Sequence, residues 1–412
     1  MKRKKLDSEL VHADRQVNLP QSGAVHEASN NSVLFHFDDV ADLEAVFQGK
    51  KNGHVYSRSS SSSSVALQNI LAKFESGKYA TVFSTGMAAI SALMFSLLKS
   101  GDHIVVSKFL FGNTRSFIDS LMRFGIDVDY IDTTKVDNLA AVVKHNTKMV
   151  FCESIANPGT QVADLKNIGD YCASNSLLFV LDNTMTPCVL LDAKAVKANL
   201  LTTSLTKYVS GHGNVLGGVV VDMGNFDWTG FDNIYDVYKN VEPDALGTTQ
   251  IRKKGLRDIG ATLAAQSAHL ISTGLETLSM RMMKICENAL KVSQFLATHN
   301  GVTKVLYPGL PEHQQHVLAK ELFNGNFGGI LSFELDASID VRSFINALDM
   351  ILSATHLGDN RTLILPVAST IFYENGPEQR EEMGISDTLI RMSLGIENAD
   401  DIIQDLTQAL HM

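Results

Sequence analysis

Between residues 65 and 221, short runs of β-forming apolar residues alternate with segments whose apolar residues recur at helical spacing. This alternation constrains the fold most, because strands separated by single helices pair in parallel and bury both faces under those helices. The strand candidates are Ala80–Phe83, Asp102–Ser107, Val128–Ile131, Met149–Cys152, Leu177–Leu181, Leu200–Ser204 and Val219–Val221. Helical patterns stand between them at Met87–Leu98, Thr114–Phe124, Leu139–Lys144 and Leu165–Ser174, and before them at Val65–Glu75. The pattern predicts an α/β domain with a mostly parallel central sheet flanked by helices.

Near Gly255 the texture changes to long amphipathic helices, Gly260–Gly274 and Leu278–Asn300. A strand (Gly329–Leu335), a helix (Val341–Ala347) and a last helix (Asp400–Leu410) follow. This reads as a smaller C-terminal α+β domain, as expected for 412 residues, too many for one small core. We divide the chain into an N-terminal arm (1–60), a large domain (61–255) and a small domain (256–412). The serine run Ser59–Ser64 reads as a flexible linker. The basic start, Met1–Lys5, has no apolar stretch behind it and reads as a solvated terminus rather than a signal peptide. No run approaches the ~18 apolar residues of a membrane helix. A net charge of -10 argues against a nucleic-acid partner. The four cysteines match neither a zinc site nor a disulfide framework, so they are read as reduced thiols of a cytoplasmic protein.

Ligands of open α/β sheets sit beyond the carboxyl ends of the strands. Three segments fall there. Ser84-Thr85-Gly86-Met87-Ala88 opens a helix after a strand, and its small residues let backbone N–H groups approach an anion. Asp182 follows Leu177–Leu181; a carboxylate there serves as a metal ligand, a base or a partner for a ring nitrogen, and equally as a turn residue. Ser204-Leu205-Thr206-Lys207-Tyr208 sets a lysine among hydroxyls at the end of a buried strand. Together they supply what pyridoxal 5′-phosphate (PLP) requires: a phosphate cup, a carboxylate for the pyridine nitrogen and a lysine for the imine.

These segments, with Tyr56-Ser57-Arg58, Glu153-Ser154-Ile155-Ala156-Asn157-Pro158, Asp182-Asn183-Thr184, Gly211-His212 and Arg391-Met392-Ser393-Leu394-Gly395-Ile396-Glu397, resemble the cystathionine γ-synthase family of fold-type I PLP-dependent enzymes. The resemblance runs from about residue 50 to the C-terminus. It implies that Lys207 carries PLP as a Schiff base and shuttles the α-proton, that Asp182 pairs with the pyridinium nitrogen, and that Asn157 bonds the phenolic oxygen. Gly86, Met87, Ser204 and Thr206 would hold the phosphate, and Tyr56 and Arg58 would reach the phosphate in a neighbouring subunit. Arg391 would clamp the substrate carboxylate. It further implies a homodimer or homotetramer with shared sites, and elimination or replacement at the γ-carbon of a methionine- or homoserine-type substrate: a lyase or cystathionine γ-synthase, or alternatively an O-acylhomoserine sulfhydrylase.

The sequence departs from that family at several positions. Phe111 stands where a tyrosine usually stacks on the cofactor, so it can stack but carries no hydroxyl. Ser61-Ser62-Ser63 replaces a proline-containing turn, which predicts a more mobile arm. His356 stands at a usual serine and is a candidate acid–base and substrate-binding group, with a packed neutral histidine as the plain alternative. Arg361 reverses a common negative charge. These changes also raise a non-catalytic PLP-binding relative as a second reading; Lys207, Asp182 and Arg391 argue against it.

Overall fold

The computed structural model describes residues 5–14 and 23–411, so of the basic Met1–Lys5 stretch only Lys5 is described. The central sheet has seven strands: β1 (Tyr79–Phe83), β2 (His103–Ser107), β3 (Asp127–Ile131), β4 (Thr147–Glu153), β5 (Leu178–Asp182), β6 (Leu200–Thr203) and β7 (Gly218–Asp222). Their order is β1-β7-β6-β5-β4-β2-β3. β7 runs antiparallel to both neighbours, and β3, β2, β4, β5 and β6 pair in parallel. The helix Gly86–Leu97 leads from β1 to β2, and Gly112–Met122, Asp137–Val142 and Leu165–Ser174 connect β2 to β3, β3 to β4 and β4 to β5.

Successive strand residues enter two different cores. Val150, Phe179, Leu181 and Leu201 pack on one face, while Met149, Phe151, Leu178, Val180 and Leu200 pack on the other. That double burial is why these strands read as continuous apolar runs rather than alternating ones.

A second sheet contains β8 (Val302–Leu306), β9 (Ile330–Leu335), β10 (Leu352–Ser353), β11 (Leu363–Pro366) and β12 (Leu389–Ser393), in the order β10-β11-β12-β9-β8. The helices Leu278–Thr298 and Ala399–Leu410 pack against each other beside it. Of these five strands only β9 was expected from the sequence. β11 and β12 are four and five residues long, and β12 carries Arg391 at its centre, which breaks an apolar run.

Two further expectations need correction. The helix expected at Gly260–Gly274 spans Ala265–Leu275, because Gly260 adopts φ +83° and ends a preceding helical stretch, Leu246–Asp258, whose second half is π-helical. The polar sequence Arg252–Asp258 hid that stretch. The serine run is not a linker. Ser61 caps the helix Ser62–Phe74: its hydroxyl accepts the Ser64 N–H at 3.2 Å, and the Ser64 hydroxyl accepts the Ser61 N–H at 2.9 Å. Ser61, Ser63 and Ser64 are buried. This reciprocal pair is a capping box built from two serines, and it fixes the segment that the missing proline was expected to loosen.

Ser61→Ala is expected to cost about 1 kcal/mol of stability, whereas Ser62→Ala, one residue on, changes it by less than about 0.5 kcal/mol. Urea denaturation of the two variants checks the difference.

Candidate active site

The carboxyl ends of β4, β5 and β6 and the N-terminus of the helix Gly86–Leu97 surround one cavity of about 430 Å³. Gly86, Met87, Phe111, Asn157 and Asp182 line it, together with Ser204, Thr206, Lys207 and Arg391. Nine of the twelve residues singled out in the sequence are therefore in one place.

Thr85 caps the helix, its hydroxyl accepting the Ala88 N–H at 3.0 Å. The amides of Gly86 and Met87 lie in the first turn, where no intrahelical acceptor exists. Gly86 is required by the packing: a Cβ there would lie 2.7 Å from the Ser204 Cβ. The Ser204 N–H donates to the Thr184 hydroxyl at 2.8 Å, and the Thr206 hydroxyl accepts the Gly217 N–H at 3.0 Å.

Asp182 ends β5, and one of its oxygens accepts the Thr184 N–H at 2.8 Å. Burial raises its pKa above the usual carboxylate range. Lys207 lies in the turn after β6. Burial, followed by repulsion from Arg391, brings its ammonium down to about 8. The His356 Nδ1 stands 3.2 Å from the Lys207 Nζ. Burial, and then the Lys207 charge, lower His356 to about 4, so it is a neutral imidazole at physiological pH, and its buried Nε2 has no partner.

Arg391 enters from β12 of the second sheet and is only 2% exposed. Its Nη1 donates to the Asn157 Oδ1 at 3.3 Å, and its Nη2 to the carbonyls of Thr355 and His356, both at 3.0 Å. Burial lowers its pKa to about 10, still cationic at neutral pH. Its Nε is buried without a partner.

Tyr56 and Arg58 do not join this cavity in their own chain. Tyr56 is 45% exposed, and Arg58 donates to the Arg257 carbonyl at 2.5 Å. Arg361 is held by Asp359, at 2.7 and 2.9 Å, and by the His212 carbonyl, so its charge is matched rather than free. Two contributors escaped the sequence reading. Glu153 lines the cavity and accepts the Phe111 N–H at 2.7 Å. Arg281, buried in the helix Leu278–Thr298, donates to the carbonyls of Tyr208, Val209 and Gly274 and so pins the turn that follows Lys207. The helical spacing around Arg281 marks only a helix, and nothing in it signals a buried guanidinium.

The family model for Cys/Met metabolism PLP-dependent enzymes matches residues 7–411. The chain belongs to that family. It is 34% identical to an L-methionine γ-lyase of Fusobacterium nucleatum over 98% of both chains. It is also 34% identical to an O-acetyl-L-homoserine sulfhydrylase of Corynebacterium glutamicum, over 97% of this chain and 95% of that one. A crystal structure from Campylobacter jejuni, assigned as an O-acetylhomoserine (thiol)-lyase and carrying a pyridoxyl-lysine monophosphate, superposes with a TM-score of 0.93 at 31% identity, covering 98% and 99% of the two chains. The protein is thus a PLP-dependent enzyme of fold type I, and its chemistry is carbon–sulfur elimination or replacement in sulfur amino-acid metabolism. The non-catalytic reading is set aside. Among the described residues no helix is long and apolar enough to cross a membrane.

The cavity's residues fit that cofactor. The first-turn amides beside Gly86 suit a phosphate, the lysine amine is depressed towards its free form, and the Asp182 carboxyl lines the cavity as a candidate partner for a ring nitrogen. Condensation of an amine with an aldehyde requires the unprotonated amine. The rate at which apoprotein takes up PLP is therefore expected to rise with pH and level off above about 8. Stopped-flow absorbance checks this; a rate still climbing towards ~10.4, the ordinary lysine value, would contradict the depressed amine.

Proposed function

We propose that the enzyme acts at the γ-carbon of a methionine- or homoserine-type α-amino acid, with Lys207 as the proton carrier and Arg391 as the carboxylate clamp. The observation that carries this reading is the convergence of Lys207, Asp182 and Arg391, from two strand ends of the first sheet and the centre of a strand of the second, on one cavity. PLP, when bound, draws electrons from the substrate's α-carbon into its pyridine ring.

The chain's own groups do the rest. Asp182 holds the ring nitrogen in its protonated state. Asn157, whose Oδ1 is occupied by Arg391, keeps its Nδ2 to donate to the phenolic oxygen. The Arg391 fork, with Nε free, meets the planar carboxylate of the substrate. Gly86, Met87, Ser204 and Thr206 hold the phosphate. Lys207 Nζ takes the α-proton and delivers it towards the leaving side. Phe111 covers the ring but moves no proton. His356, neutral and 3.2 Å from Nζ, accepts a hydrogen bond from Lys207 at Nδ1 and so orients the amine rather than relaying its proton.

Tyr56 and Arg58 act in a second copy of the chain. Support comes from the exposure of the arm around them, where Val33, Leu34, Val40, Phe47 and Tyr56 are all solvent-facing in the single chain. The four cysteines are unpaired, which suits a reducing, cytoplasmic setting.

The test is turnover of methionine, cystathionine, O-acetylhomoserine and O-succinylhomoserine by holoenzyme, with 2-oxo acid and sulfur products assayed and the active species sized. We expect one of the four to turn over, 2-oxo acid without added thiol marking elimination and thiol-dependent product marking replacement. The active species is expected to be a dimer or tetramer. Turnover of none of them would contradict γ-carbon chemistry, and a fully active monomer would contradict the shared site.

A further inference from the structure

Glu153 is the one carboxyl group lining the cavity, among the described residues, to which the proposed function gives no task. It ends β4 as Asp182 ends β5, and the two are register partners on adjacent parallel strands. Register partners project from the same face of a sheet about 4.8 Å apart, so the carboxyl groups stand side by side at the cavity floor. Two carboxylates so placed and shielded from water do not both ionise cheaply.

The two groups are held differently. Asp182 lines the cavity and accepts the Thr184 N–H at 2.8 Å, with the Thr184 and Thr202 hydroxyls also beside its carboxyl group. Glu153, 9% exposed, accepts the N–H of Phe111 at 2.7 Å. Phe111 is the residue before the helix Gly112–Met122, and no side chain caps that helix. The Glu153 contact thus ties the cavity to the residue at the helix entry, whose ring lines the same cavity.

We propose that Glu153 is a positioning residue: a proton-bearing carboxyl that anchors the Phe111 segment and leaves Asp182 as the single anion of the pair. Burial and the neighbouring Asp182 charge raise Glu153 well above the usual carboxylate range, although the Phe111 and Asn157 amides oppose the shift. The inference rests on the reading of Asp182 as the ring-nitrogen partner.

The experiment compares Glu153→Gln, Glu153→Asp and Glu153→Ala holoenzymes on the substrate that wild type turns over, reading kcat, KM and the visible band of the bound cofactor. Glutamine copies a neutral carboxyl and still accepts the Phe111 N–H, so it is expected to keep most of kcat. Alanine removes the anchor and aspartate withdraws it by one methylene; each is expected to lose roughly tenfold to a hundredfold in kcat, the cost of a misplaced group, with KM little changed. If the alanine variant fails to fold, the aspartate variant carries the comparison. A glutamine variant as impaired as alanine would show that the charge is needed and overturn the proposal. Full activity in the aspartate variant would overturn the anchoring role. Asp182→Asn separates the two readings: if it stays active, the assignment of Asp182 falls, whereas the glutamine and aspartate results judge Glu153 alone.

Discussion

The buried guanidinium of Arg391 ties the site together. A fully desolvated cation is costly unless its donors are satisfied. Here the acceptors come from the Asn157 side chain, beyond β4 of the first sheet, and from the Thr355 and His356 carbonyls, which precede Leu357 and Gly358 near Lys207. One side chain on the second sheet thereby sets the position of a residue on the first and of the segment carrying His356. The same cation lies close enough to Lys207 to lower its proton affinity. Binding geometry and lysine chemistry thus depend on one buried charge.

The parallel sheet supplies the complementary constraint. Strands β4, β5 and β6 end at a common edge, so Glu153, Asp182 and the Ser204–Lys207 turn meet although up to 54 residues separate them in the chain. Double burial of these strands holds that edge firm. The cavity opens where the last strand residues stop packing and begin presenting polar groups, as in other open α/β sheets.

The legible parts of the sequence were those with a period. Strand–helix alternation located β1 to β7 within a residue or two, and with them Asp182 and Lys207, because a polar residue that ends an apolar strand stands out. The second sheet was largely illegible. β12 is five residues long with a charged centre, and only its pairing with β9 and β11, distant in the chain, makes a strand of it. The serine run misled because composition suggested a linker, while the spacing of Ser61 and Ser64 encoded a cap. Glu153 lay inside a recognised segment, but its task appears only when β4 and β5 are set in register. His356 was a candidate from substitution alone; in three dimensions it is a neutral hydrogen-bond partner of Lys207.

The most direct test of the account is reduction of the holoenzyme with sodium borohydride, which fixes the bound cofactor to the amine that holds it, followed by proteolysis and mass mapping. The account predicts a single pyridoxyl-phosphate label, on the peptide that contains Lys207. A label on another lysine, or spread over surface lysines with Lys207 unmodified, would contradict the assignment on which the rest depends.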